Sequence, residues 1–163
     1  MRKQLTLAIA TTVLLAGFGS GVASAQTDSS TVTYTVSPVT LIEIASDVSL
    51  TIDSVNSVGG GLANDTDSTT YAITNNAGAK KLVGKLNAAM PDNTTLSLQA
   101  SAPAGAASAG AVTLSNSNQD LVTGIGAVNQ SGISIVFTLS ATVNAQLVNA
   151  GTKTLTLTLV DES

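Results

Sequence analysis

Thr154-Leu155-Thr156-Leu157-Thr158-Leu159 and Thr31-Val32-Thr33-Tyr34-Thr35-Val36 each alternate a hydroxyl with an apolar residue without a break. Successive side chains of an extended chain point to opposite faces. This spacing therefore puts Leu155, Leu157 and Leu159, or Val32, Tyr34 and Val36, on one side and Thr on the other. A strand with one dry and one wet side belongs to an antiparallel sheet packed on a core. The same grammar predicts strands at Leu41 to Ile44, Val48 to Ile52, Thr70 to Thr74, Lys80 to Leu86, Thr95 to Ala100, Ala111 to Leu114 and Ile133 to Leu139. Gly59-Gly60-Gly61, Asn75-Asn76-Ala77-Gly78, Pro91-Asp92-Asn93 and Ser131-Gly132 supply turns, because Gly and Asn tolerate positive φ and Pro presets a corner. About eight or nine short strands at this spacing predict a sandwich or barrel rather than a parallel α/β sheet. Ala102 to Ala111 reads as a small-residue loop. Ala141 to Ala150 reads as a turn or two of helix stopped by Gly151, or as an irregular crossover.

The first 25 residues have their own logic. Arg2 and Lys3 precede the apolar run Leu5 to Leu15, and Ala23-Ser24-Ala25 offers the small residues of a cleavage site before Gln26, the layout of a secretory signal peptide. The run is short for a membrane span, which needs about 20 apolar residues, so no stable membrane insertion is expected after cleavage. Phe18 follows Leu15-Ala16-Gly17 where a lipoprotein signal would carry its Cys. Residues 26 to 163 then form one domain with four Lys, no Arg and ten acidic residues, a net charge of −6. With only Tyr34, Tyr71 and Phe137 as aromatics, that balance offers neither phosphate clamps nor stacking platforms, so no nucleic-acid partner is expected. The whole chain has no Cys and no His. Nucleophile systems and zinc sites built on those residues are therefore excluded, and no cofactor is expected.

The remaining chemistry is sparse. Asn64, Asp65 and Asp67 set oxygen-bearing side chains close together, which predicts either a surface calcium clip or a solvated Asx-rich turn. An enzyme would have to gather two of Asp47, Asp53 and Glu43 into a buried carboxylate pair. Lys80, Lys81 and Lys85 predict a contact patch for an acidic surface, or a solvated edge strand guarded by Lys. Asn64-Asp65-Thr66, Asn93-Thr94-Thr95 and Asn129-Gln130-Ser131 fit the glycosylation pattern.

The cleanest alternating strand stands near the start of the cleaved chain and is closed by Pro38. Such a terminal strand can pair at home or leave and complete a neighbour's sheet, which turns a monomer into an open head-to-tail fibre. Three features together resemble the major subunits of colonisation-factor-type fimbriae of the alternate chaperone pathway: Thr31 to Pro38, the run Thr74-Asn75-Asn76-Ala77-Gly78-Ala79-Lys80-Lys81-Leu82-Val83-Gly84-Lys85-Leu86, and the closing strand up to Val160. The resemblance implies an all-β, immunoglobulin-like antiparallel β-sandwich with residues 30 to 38 as donor strand. Thr31, Val32, Tyr34 and Val36 would form the polymer interface. It also implies other copies of the chain, a periplasmic chaperone and an assembly platform as partners, and an extracellular or cell-surface location. The expected function is a structural subunit of a fibre or pilus and not an enzyme; the alternative is a monomeric secreted adhesion module binding carbohydrate or calcium at its loops. Functional amyloid is disfavoured, since no internal repeat of the required length is present.

Overall fold

The computed structural model describes residues 26 to 162, so the expected signal peptide lies outside the described residues. From Val36 onward the chain is an all-β antiparallel sandwich of nine strands in two sheets. In chain order the strands are β1 (Thr40–Ile44), β2 (Asp65–Asn75), β3 (Lys80–Leu86), β4 (Thr94–Ala100), β5 (Ala107–Ser108), β6 (Ala111–Thr113), β7 (Gln119–Ile125), β8 (Val128–Ala141) and β9 (Leu155–Asp161). One sheet runs β1-β2-β8-β4-β6 and the other β5-β7-β3-β9.

The alternation seen in the sequence becomes the core. Tyr71 and Ile73 of β2, Leu96 and Leu98 of β4, and Ile133, Ile135 and Phe137 of β8 face Leu82 and Leu86 of β3 and Leu121, Val122 and Ile125 of β7 in one apolar cluster. Burying each such side chain contributes about 1.5–3 kcal/mol, which is how a chain without disulfides holds two sheets together. Tyr71 keeps its hydroxyl satisfied by donating to the Ser101 carbonyl at 2.7 Å. Its burial pushes the phenol up to about 12. Gly84 faces the same core. A Cβ there would stand 2.8 Å from Leu121 Cδ1 and 3.2 Å from Leu157 Cδ2, so its bare backbone is what lets these two leucines close over β3.

Several expectations need correction. β7 escapes the alternation rule because it is bulged. Lys80 pairs with Ile125, Leu82 with Val122 and Val83 with Asp120, so β7 carries an extra residue at each of two register shifts, and Gly124, at φ +71°, lies at the first. Ser131-Gly132 is not a turn before a strand but the same device within β8. There Tyr71 pairs with Ile133 and Ile73 with Gln130, with Gly132 at φ +67°. Ala102 to Ala111 contains the two-residue β5. Ala141 to Ala150 holds one 3-10 turn, Val143–Ala145, and is otherwise the irregular crossover from β8 to β9. Val143, Leu147 and Val148 stay exposed, so no apolar face exists to stabilise an α-helix there.

Val48 to Ile52 is not a ladder strand either. Val48 and Leu50 pack half-buried against the core, but the amides of Ser49 and Thr51 donate to the carboxylates of Asp67 and Asp65 at 2.8 and 2.6 Å instead of to a backbone. Thr31 to Val36 likewise carries no strand pairing among the described residues.

Candidate functional site

A sandwich has four sheet edges, and each is a row of unpaired backbone groups that either invites another strand or is blunted against one. Here β5 and β6 are blunted by length, at two and three residues. The other two edges, β1 and β9, flank the opposite side. β9 is seven residues long and pairs with β3 from Leu86↔Leu155 to Lys80↔Asp161 with no register shift. Along it stand no Pro, no Lys and no bulge, the usual guards of an exposed edge.

The side between β1 and β9 is incompletely closed. Ile42 and Ile44 of β1 and Leu155, Leu157 and Leu159 of β9 are only half-buried, whereas their counterparts on β3, β7 and β8 are buried. A shallow cleft of ≈ 300 Å³ lies there, lined by Ile42, Glu43, Ile44, Leu155, Thr156 and Leu157. An apolar floor bounded by two strand edges can take up an extended chain that offers alternate apolar side chains and main-chain hydrogen bonds.

Such a chain exists in the same molecule. Val32, Tyr34 and Val36 are 80%, 86% and 80% exposed and sit at every second position. Thr31 to Val36 thus has the pattern of a strand and no strand partner among the described residues.

The other candidate residues are distributed differently. Asp65 and Asp67 lie on β2, with the parity of Thr69 and Tyr71, so they face the inter-sheet side. Each uses both carboxylate oxygens on amides. Asp65 accepts from Thr51 and Thr66, and Asp67 accepts from Ser49 and Ser68, all at 2.6–2.9 Å. Asn64 precedes the strand. Among the described residues no group of three or more acidic or other metal-ligating side chains comes together to hold an ion. The amides of Ser49 and Ser68 hold the Asp67 carboxyl below its ordinary value of 3.8. A carboxyl depressed in the folded state contributes stability above its unfolded value and loses that contribution as pH falls through the folded one. Hydrogen exchange at the Ser49 amide is therefore expected to accelerate as pH drops below about 3.8, measured against the core amide of Leu98 and after correction for intrinsic rates. An Asp67→Asn variant should exchange quickly at neutral pH as well.

The Lys cluster does not guard an edge. β3 is an interior strand, with β7 on one side and β9 on the other. Lys80 pairs with Asp161 of β9, and Lys81 with Asp120 of β7 at 3.0 Å, while Lys85 is exposed. Lys81 and Lys85 share the outer face of β3, whereas Lys80 has the inward parity of Leu82 and sits half-buried at the strand's end, and the carboxylates on the neighbouring strands pair with Lys80 and Lys81. Glu43, Asp47 and Asp53 are all exposed, and the structure gathers them into no buried pair.

The acceptor side was not legible beforehand, because which strands become edges is a property of the topology. Compared with known proteins, the chain matches no family model, and no curated protein is similar to it.

Proposed function

We propose that this protein is a secreted structural subunit of a surface fibre or pilus, and that it polymerises by N-terminal donor-strand exchange. The observation that carries the reading is the coexistence of an unpaired alternating segment, Thr31 to Val36, and an open apolar side between β1 and β9. The segment of one copy adds to the β9 edge of the next, with Val32, Tyr34 and Val36 entering over Ile42, Leu155 and Leu157. Each buried side chain supplies about 1.5–3 kcal/mol, and the ladder hydrogen bonds add direction. The partners are other copies of the chain, with a periplasmic chaperone to cover the segment or the cleft before assembly. The immunoglobulin-like character, the secretion and the cell-surface location belong to the same reading. A monomeric adhesion module has less to stand on, since the Asp65 and Asp67 carboxylates are taken up by backbone amides.

The test compares the chain starting at Gln26 with one starting at Val39, by negative-stain microscopy and size-exclusion chromatography. Fibres from the first and β-rich monomers from the second are expected. Fibres from both, or from neither, would overturn the proposal.

A further inference from the structure

We infer that Asn76 is a positioning residue for strand exchange: it fixes the root of the donor segment to the sandwich at Ser37 and Val39. The inference rests on the strand-exchange reading for its purpose, and on the following geometry for its content. Asn76 stands in the turn between β2 and β3 and is exposed, so it fills no core. Its backbone N–H and both side-chain polar atoms nevertheless go to one place. Its backbone N–H donates to the Val39 carbonyl at 3.0 Å, its Oδ1 accepts from the Val39 amide at 2.5 Å, and its Nδ2 donates to the Ser37 carbonyl at 3.3 Å. The side chain thereby acts as a backbone surrogate and continues the β1–β2 pairing past its last rung, Thr40↔Asn75.

The two residues flanking Pro38 are the ones gripped. Pro38 has no amide to offer and holds Ser37 extended, so the clamp and the ring together remove the freedom of the junction. The turn that bears Asn76 is itself rigid, because its neighbour Asn75 is buried and bonded to Thr40, Ala77, Gly78 and Gly126. A segment fixed at its root loses less conformational freedom when it is captured than one swinging from a free linker. Asn76 therefore raises the rate of exchange without touching the cleft.

The experiment uses the chain from Gln26 with Asn76→Ala and, as the conservative change, Asn76→Asp, which keeps the acceptor for Val39 and loses the donor to Ser37. In Asn76→Ala the Val39 amide is expected to exchange roughly tenfold faster, the effect of losing one typical hydrogen bond, with core amides unchanged. Polymerisation should slow by a similar factor, and Asn76→Asp should fall between. An unchanged Val39 exchange rate, or wild-type assembly by Asn76→Ala, would overturn the inference. A nitroxide on Val36→Cys, the only thiol in a chain with no Cys, keeps the two readings apart. If the wild-type chain fails to assemble, strand exchange is wrong, while a label that grows more mobile in Asn76→Ala still upholds the clamp and an unchanged spectrum sinks it.

Discussion

Replacing Val32, Tyr34 and Val36 together by Ser is expected to abolish fibre formation and to leave the melting temperature of the monomeric sandwich where it was. The three side chains are 80%, 86% and 80% exposed, so removing them uncovers no core and opens no cavity in the single chain. In the proposed fibre the same residues are the plugs, each worth about 1.5–3 kcal/mol. Association itself costs an estimated 4–15 kcal/mol in lost freedom, so losing several kcal/mol leaves the ladder hydrogen bonds unable to hold copies together at micromolar concentration. Ser keeps the backbone and its hydrogen-bonding groups, which makes the triple variant a cleaner probe than deletion. Sedimentation and calorimetry on the same sample read the two halves of the prediction. Fibres of normal yield from the triple variant would mean that the plugs carry no binding energy, and a large drop in melting temperature would mean that the segment belongs to its own sandwich.

The second large effect concerns stability. Asn75→Ala should destabilise the sandwich by about 3 kcal/mol, or roughly 10 °C in melting temperature for a domain of this size. Asn75 is 2% exposed, and its amide is fully used. It donates to the carbonyls of Gly78 and Gly126 at 2.8 and 2.9 Å and accepts from the Thr40 hydroxyl and the Ala77 amide at 3.1 Å. Truncation leaves those partners facing a buried gap, and an orphaned buried polar group costs about 1–3 kcal/mol. The bonds span the β2–β3 turn, β1 and the β7–β8 connection, so no local rearrangement restores them all. Urea titration measures the loss through the midpoint at constant slope. A change below about 1 kcal/mol, the value of one ordinary hydrogen bond, would show that water replaces the amide without penalty.

How much was legible in advance follows from where alternation survives. β3 runs over the residues that its pattern predicts, and β1, β4 and β9 shift only at their ends, because nothing interrupts their pairing. β2 is longer than its dry stretch, Thr70 to Thr74, since its inward positions continue as Asp65 and Asp67. A polar inward residue reads as a loop until the amides that satisfy it are known. β7 was invisible because adjacent Leu121 and Val122 are both buried and Gly124 breaks the count. The donor half of the proposed site could be read, as a bare local pattern can. The acceptor half could not: Leu155, Leu157 and Leu159 look the same in an interior strand as at an edge.

The brevity of β5 and β6 sets the shape of anything this chain builds. With two and three residues they offer a second strand too few rungs to bind, so in the proposed assembly each copy carries one donor and one acceptor, the side between β1 and β9. In the language of polymer chemistry that is a monomer of functionality two. Such monomers make linear chains or closed rings, never branches or networks, whatever their concentration.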